Sequence, residues 1–317
     1  MAPTQTLSNG DQIPALGLGT WKSEPGEVYE AVKTAIKEGY RHIDGASIYG
    51  NESEVGDAIN EMIDEGVISR DELWVTSKLW NNAHKKEDVI PALKKTLSDL
   101  SLDYVDLYLV HWPVALQPDI VFPKNGDAML PLQKAPLTET WEAMEEAKDQ
   151  GLAKHIGVSN FGPENLTTIL ESARIKPEMN QCESHPHLQQ EELLAFCKKH
   201  DILFTAYSPL GSKDRPEMMK AENEPSLLEN ETIHSIADEH DATPAQILIA
   251  WALNRDTIVI PKSVNAGRIA ENLKSAEITL TDKNMEQISE LDSGFRYVNA
   301  EVWAQNGSPY TTEDVWK

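Results

Sequence analysis

The chain has 317 residues, of which 40% are apolar and 25% are charged, a composition typical of a soluble globular protein with one large core. No apolar run approaches the roughly 20 residues that a membrane helix needs, so we expect no membrane partner. The formal net charge of −24 disfavours binding to nucleic acid or anionic lipid, which carry the same sign.

The opening residues, MAPTQTLSNGDQIP, lack both the basic start and the apolar stretch of a secretory signal. Cys182 and Cys197 are the two cysteines of the chain, so no disulfide framework beyond one bridge is possible. We therefore expect a cytoplasmic protein with two reduced, buried thiols.

A short hairpin is predicted over 4–15, because Asn9-Gly10 is a strong turn signal near its centre. Eight β-type runs then alternate with amphipathic helices as far as about residue 275. The predicted strands are 16–18, 41–44, 73–78, 105–111, 155–160, 178–183, 203–208 and 257–262. One of the predicted helices begins at Thr243-Pro244-Ala245-Gln246, which has the spacing of a capping box.

Eight strand–helix units favour a single-domain (β/α)8 TIM barrel over residues 1–317, rather than an open doubly wound sheet. An open sheet usually carries Gly-x-Gly-x-x-Gly after its first strand, and the stretch 17–20 lacks the third glycine. Two loops are long, 113–136 after the fourth strand and 210–230 after the seventh, and the irregular segment 293–317 ends the chain. Because loops that follow strands lie on the functional face of a barrel, we expect these segments to wall a pocket.

Polar side chains occur repeatedly where the predicted strands end. They are Asp44, Lys78, His111, Ser159, Asn160, Gln181, Glu183, Tyr207, Ser208 and Lys262, with Tyr49 five residues after Asp44. Each alone has an ordinary structural explanation, such as helix capping for Asp44. Their shared location at one end of the barrel favours an active site.

Four of these residues suit the reduction of a carbonyl group. Hydride addition leaves negative charge on the carbonyl oxygen, so a proton donor must lie nearby. Tyr49 has an ordinary pKa of about 10, and we expect the Lys78 ammonium to lower that pKa. Asp44 would keep Lys78 charged and in place, while His111 would orient or polarise the carbonyl oxygen. This arrangement requires no metal.

Six motifs follow one another along the chain. They are IDGASIYGNE (43–52), SKLW (77–80), LVHWP (109–113), GVSNF (157–161), AYSPLG (206–211) and IPKS (260–263). Together with LGLGTW (16–21), they resemble the aldo-keto reductase family, in particular its aldose and aldehyde reductase branch. The resemblance extends to about Asn272 and covers most of the chain.

The resemblance implies that Asp44, Tyr49, Lys78 and His111 form the family's catalytic tetrad. It also implies NADPH or NADP+ as cofactor, since Arg268 matches a position at the adenosine 2′-phosphate and arginine can hold phosphate bidentately. At the nicotinamide, the resemblance implies that Tyr207 stacks on the ring and that Ser159, Asn160 and Gln181 hold the carboxamide. Thr20 and Trp21 are further implied cofactor contacts. Those at the pyrophosphate are Ser208, Leu210, Ser212 and Asp214, with Lys22 as the partner of Asp214. Those at the adenosine end are Lys262, Ser263, Arg268, Glu271 and Asn272.

The implied substrate is a small carbonyl compound, from the aliphatic aldehydes, the aromatic aldehydes or the open-chain aldoses, in a largely apolar pocket. The family's aromatic pocket positions are matched here by Trp21, Trp80, Trp112 and Phe122, and His111 is expected at the reacting group. From Ser293 onward the chain follows the aldose reductase pattern poorly, so the sequence does not specify which aldehyde is reduced.

Other interpretations of the sequence remain. The same site would serve a polyol or alcohol dehydrogenase working in the oxidative direction, and the fold would also serve a non-catalytic NADPH-binding sensor. His185 and His187 beside Cys182 and Glu183 suggest a metal site, but a convincing remaining ligand set is lacking and we predict no metal. The resemblance implies a monomer.

Overall fold

The computed structural model describes residues 3–217, 220 and 224–317, and its main sheet has eight parallel strands. In chain order these are β3 (Leu18–Gly19), β4 (His42–Asp44), β5 (Trp74–Leu79), β6 (Val105–Val110), β9 (Ala153–Ser159), β10 (Met179–Glu183), β11 (Leu203–Tyr207) and β12 (Ile258–Val259). The order of the strands in the sheet follows the order in the chain. The predicted (β/α)8 barrel is therefore confirmed.

The barrel closes where its first and last strands meet. Gly17 N donates to Val259 O at 2.9 Å, and Gly19 N donates to Pro261 O at 3.1 Å. Both end strands are shorter than predicted, since Leu16 and Lys262 join the sheet only through isolated bridges. At the last strand the reason is Pro261, which has no N–H to continue the ladder.

The hairpin predicted over 4–15 is confirmed as β1 (Thr4–Thr6) paired antiparallel with β2 (Gln12–Pro14). Its Ile13 is fully buried and belongs to an apolar cluster with Trp74, Leu107 and Met179, which come from three barrel strands. The hairpin therefore fills the floor of the barrel, at the end opposite the catalytic candidates.

Strand alternation places the polar residues inside the barrel above that floor. Successive side chains of a strand point to opposite faces, so Trp74, Thr76 and Lys78 of β5 share one face. Trp74 lies in the floor cluster, Thr76 Oγ1 contacts His42 Nε2 at 3.2 Å, and Lys78 reaches Asp44. A strand that begins with an apolar floor residue therefore ends with a charged residue at the top.

Helices cover the outside of the barrel. They are α1 (Glu27–Glu38), α2 (Glu52–Asp64), α3 (Lys86–Leu100), α4 (Leu137–Asp149), α5 (Pro163–Leu170), α6 (Glu191–Lys199), α7 (Glu231–Glu239), α8 (Pro244–Asn254), α9 (Ala266–Lys274), α10 (Asp282–Ser289) and α11 (Thr312–Trp316). The capping box predicted at Thr243 and Gln246 is present at the start of α8. Within the described ranges, every helix is too short or too polar to cross a membrane.

The three long segments carry local structure that the sequence did not predict. Loop 113–136 contains an antiparallel pair, β7 (Ala115–Leu116) and β8 (Met129–Leu130). Segment 293–317 contains a short 3₁₀ helix, Glu301–Trp303, and ends with α11. Loop 210–230 lies partly outside the described residues, which exclude 218–219 and 221–223.

Helices α2 and α3 pack closely because Gly56 has no side chain. A Cβ atom there would lie 2.7 Å from Leu100 Cα, and backbone cannot move aside as a flexible side chain can. We expect Gly56→Ala to lower the free energy of unfolding by about 1–3 kcal/mol through overpacking. The measurement is urea unfolding, with Asp57→Ala on the exposed face of the same helix as control. Equal stability of the two variants would contradict the packing argument.

Candidate active site

The centre of the site is a buried ion pair at the top of the barrel. Lys78 Nζ lies 2.6 Å from Asp44 Oδ1 and also donates to Gly45 O at 2.8 Å. Both side chains are almost completely buried. Burial acts to lower the pKa of Lys78, but the interactions with Asp44 and Tyr49 together outweigh burial and raise that pKa. Lys78 therefore remains a cation inside the barrel.

Tyr49 ends a 3₁₀ turn, Ser47–Tyr49, that follows β4 and brings its ring over the ion pair. Lys78 Nζ is 5.3 Å from the centroid of that ring. Burial raises the pKa of Tyr49 above its ordinary value, although the positive charge of Lys78 acts in the opposite direction. Lys78 therefore acts on this pKa in the expected direction, but desolvation of the phenolate outweighs the attraction, so the pKa is raised.

His111 follows β6 and faces the same space. Its ring centroid lies 6.0 Å from that of Tyr49, and the two rings meet edge to face. Burial lowers the pKa of His111 far below the ordinary value, and the charge of Lys78 lowers it further. The imidazole is therefore neutral at physiological pH, so one of its ring nitrogens carries a hydrogen that it can donate.

Next to the tetrad, the three residues expected at the carboxamide are linked to one another and to Tyr207, which is expected to stack on the nicotinamide. Tyr207 OH donates to Asn160 Oδ1 at 2.7 Å, and Ser159 Oγ donates to Gln181 O at 2.8 Å. Gln181 Nε2 donates to Asp44 Oδ2 at 2.7 Å. The ends of β9, β10 and β11 are thus joined to the catalytic candidates by hydrogen bonds. Thr20 belongs to the same layer, with its hydroxyl donating to Asp44 O at 2.9 Å.

Backbone strain also concentrates here. Nine residues other than glycine have a positive φ in the part of the chain that the structure describes, and four are candidate cofactor contacts. They are Lys22 (φ 59°), Asn160 (65°), Ser208 (51°) and Ser212 (46°). Such conformations are disfavoured for residues with a Cβ and tend to occur at functional sites.

A group of cations lies beyond the strained residues. Lys22 Nζ contacts Asp214 Oδ1 at 2.7 Å and Ser212 Oγ at 2.9 Å, so the predicted pairing of Lys22 with Asp214 is present. Lys262 Nζ lies 3.6 Å from Asp214 Oδ2. Burial lowers the pKa of Lys22, Asp214 opposes this, and the charges of Lys262 and Arg215 lower it again. One carboxylate therefore serves two ammonium groups, which leaves net positive charge for an anionic ligand.

Arg268 lies on the first turn of α9, whose N-cap is Asn265. Its side chain is exposed, and no Asp or Glu of the described residues lies within the 4.0 Å of an ion pair. Ser263 and Asn272 are buried beside it, whereas Glu271 is exposed. Unpaired amide groups and the helix dipole make the start of a helix favourable for anions, and Arg268 adds a full charge there.

An aromatic wall faces His111, with tryptophans that follow barrel strands and others from segment 293–317. Trp80 lies 5.1 Å from the His111 ring, and Trp21 lies 6.3 Å from Tyr49 on the other side. Trp80 and Trp112 are linked through Trp303, whose ring is 5.8 Å from the first and 5.6 Å from the second. Trp316 packs against Trp112 at 5.6 Å.

Two other predicted contacts lie at the edges of the site. Phe122 contacts Trp80 at 5.7 Å, but 59% of its surface is exposed, so it forms the entrance rather than the wall. Leu210 packs against the main apolar core at the start of loop 210–230.

Glu183, which sequence analysis grouped with the chemical residues, instead anchors the C-terminal segment. Its two carboxylate oxygens accept hydrogen bonds from Tyr297 N at 2.7 Å and Val298 N at 2.9 Å. His185 Nε2 contacts it at 2.8 Å, and His187 Nδ1 faces Tyr297 OH at 3.2 Å. No cluster of three potential ligands placed to hold a metal occurs among the described residues.

A profile of the aldo/keto reductase family matches residues 15–293. An aldo/keto reductase of Synechocystis sp. is 54% identical over 310 residues, which are 98% of this chain and 95% of that protein. Aldo-keto reductase family 1 member A1 is 48% identical in Gallus gallus, covering 96% of this chain and 92% of the relative. The Homo sapiens protein of that name is 46% identical, covering 92% and 90%.

The ion pair at the centre makes a stability prediction. Lys78→Met leaves Asp44 buried without its cation, so we expect the free energy of unfolding to fall by about 3–5 kcal/mol. Lys95→Met breaks the exposed pair with Asp99, where less than about 1 kcal/mol is expected. Denaturant unfolding of both variants measures the difference. Similar losses of unfolding free energy in the two variants would show that the buried pair stabilises the fold no more than the exposed pair does.

Proposed function

The chain belongs to the aldo/keto reductase family, and we propose that it uses NADPH to reduce aldehydes to primary alcohols. It is an oxidoreductase, and its relatives match it over nearly their whole length. The observation that carries the proposal is the position of Tyr49, which lies between the buried Lys78–Asp44 pair and the neutral ring of His111.

The residues present fit an NADPH molecule in two places. Arg268 at the start of α9, with Lys22 and Lys262 around Asp214, supplies the cations that a phosphorylated dinucleotide needs on a chain of net charge −24. The linked donors and acceptors of Ser159, Asn160, Gln181 and Tyr207 suit an amide. When bound, NADPH supplies the hydride that reduces the carbonyl carbon.

Tyr49 would donate the proton that the developing alkoxide needs. Because burial raises its pKa, the phenol is fully protonated at neutral pH and ready to act as an acid. The cation of Lys78 would then stabilise the phenolate that remains after the proton has left. Asp44 holds that cation in place, and Gln181 holds the second oxygen of Asp44.

His111 would orient the carbonyl group toward Tyr49. A neutral imidazole donates one hydrogen bond without bringing a second positive charge beside Lys78. The wall of Trp21, Trp80, Trp112 and Trp303 would enclose the organic part of the substrate and exclude water. This lining favours aliphatic and aromatic aldehydes.

The raised pKa of Tyr49 determines the form from which each direction of the reaction starts. Reduction starts from the phenol, which predominates at neutral pH, whereas alcohol oxidation needs the phenolate as a base. Because one site catalyses both directions, the supply of cofactor and substrate decides between a reductase and an alcohol dehydrogenase. The complete tetrad favours an enzyme over a non-catalytic sensor.

The first test is Tyr49→Phe, assayed by NADPH absorbance with glyceraldehyde and benzaldehyde. We expect kcat to fall by about 10²- to 10⁴-fold, because the proton donor is removed. NADPH affinity, measured by fluorescence titration, should be unchanged. Tyr104→Phe, at the opposite end of β6 from His111, is the control. Turnover of Tyr49→Phe at the control rate would exclude Tyr49 as the acid.

Arg268→Ala tests the cofactor. Loss of a charge-assisted contact with the 2′-phosphate should weaken NADPH binding by about 10- to 100-fold, and NADH binding should hardly change. The matched control is Lys274→Ala, which removes an exposed charge from the last turn of the same helix. Equal effects on both nucleotides would place the 2′-phosphate elsewhere.

A further inference from the structure

Tyr297 is a buried residue that the mechanism above does not use, although it lies between two walls of the site. It is 2% exposed and sits in segment 293–317, beside loop 210–230. A Cβ atom on Gly211 would lie 3.1 Å from Tyr297 Cζ, so the ring packs directly against the start of that loop. Gly211 has φ 82°, which allows the chain to turn over the ring.

The same side chain also reaches the far end of the loop. Tyr297 OH donates to Pro225 O at 2.9 Å. The guanidinium of Arg215, which pairs with Glu224, lies 5.2 Å from the ring centroid. Tyr297 therefore contacts loop 210–230 near both of its ends, at Gly211 and Arg215 and at Pro225. Between these contacts the loop carries Ser212 and Asp214, the partners of Lys22.

The backbone of Tyr297 is fixed to the barrel by a different residue. Glu183, fully buried at the end of β10, accepts hydrogen bonds from the N–H groups of Tyr297 and Val298. Glu183 is two residues beyond Gln181, so the anchor belongs to the strand that supports Asp44. Val298 and the following Trp303 then enter the aromatic cluster with Trp80 and Trp112.

We propose that Tyr297 is a positioning residue that couples the nucleotide loop, 210–230, to the aromatic wall of the substrate pocket. The proposal rests on the function proposed above. A nucleotide bound against Ser212 and Asp214 would hold the neighbouring Gly211 and Arg215 against the Tyr297 ring. Because Glu183 keeps the backbone of Tyr297 in place, the packed ring would in turn hold Val298 and Trp303 in one position. Each ligand would then bind more tightly when the other is present, since such a coupling is reciprocal.

The test is a binding measurement that involves no turnover. NADPH and benzyl alcohol are both reduced and do not react, so the dissociation constant of NADPH can be measured by its fluorescence with and without saturating benzyl alcohol. In the wild type we expect the alcohol to tighten NADPH binding by about five- to tenfold. In Tyr297→Phe, which loses the hydrogen bond to Pro225, the ratio should fall toward one.

Tyr310→Phe is the matched control. Tyr310 lies in the same segment, but its hydroxyl accepts from Ala115 N and donates to Leu130 O, both in loop 113–136. It should keep the wild-type ratio. Tyr297→Leu, which removes the ring as well, should abolish the coupling and also weaken NADPH binding alone. Thermal unfolding of each variant excludes a general loss of structure.

The outcomes separate this inference from the proposed function. Two results would overturn the coupling while NADPH still binds. One is that benzyl alcohol leaves the NADPH dissociation constant of the wild type unchanged. The other is that Tyr297→Phe keeps the wild-type ratio of the two dissociation constants. A wild type that binds no NADPH would instead overturn the proposed function, and the coupling with it. A ratio lost equally in Tyr310→Phe would show that any loosening of the segment has the effect, so Tyr297 would have no special role.

Discussion

The buried ion pair of Lys78 and Asp44 is the interaction on which the rest of the site depends. Removing two such charges from water costs several kcal/mol for each ion, and their attraction offsets this only when the remaining polar groups are also satisfied. Here Gly45 O accepts from Lys78, and Gln181 donates to Asp44. The hydrogen bonds that satisfy the ion pair therefore join β4, β5 and β10 at one level of the barrel. Tyr49 lies in the electric field of that pair.

The neighbours of the pair are consistent with that constraint. Burial, and then the positive charge of Lys78, disfavour a protonated His111, and the pKa of His111 is low. A phenolate beside Asp44 would be desolvated as well as repelled, and the pKa of Tyr49 is raised. Both residues are thus neutral in their resting state. A neutral acid and a neutral hydrogen-bond donor beside one fixed cation suit a reaction in which negative charge develops on oxygen.

Local sequence patterns made the barrel, and the grouping of the catalytic candidates at one end of it, predictable from the sequence. Apolar runs that end in Asp44, Lys78 or His111 identify both a strand and its functional end, since alternation fixes which residues share a face. The sequence did not reveal Tyr297 or the anchoring role of Glu183, because these depend on contacts between residues 114 positions apart. The sequence indicated the effect of Lys78 on the pKa of Tyr49 but not the larger effect of desolvation, which depends on how completely the fold buries the ring.

The acidic surface and the anionic cofactor are compatible because electrostatic interactions have a limited range. At physiological ionic strength, exposed charges are largely screened beyond about 8 Å, so most of the −24 acts weakly on a molecule in the site. The groups within reach are Lys22 and Lys262, which share one carboxylate, and Arg268, which has no acidic partner in the described ranges. Their sum is positive close to the ligand, whereas the whole chain is negative at a distance. Binding of the proposed cofactor would therefore be governed by a few contact residues, and the general acidity of the surface would oppose it only weakly.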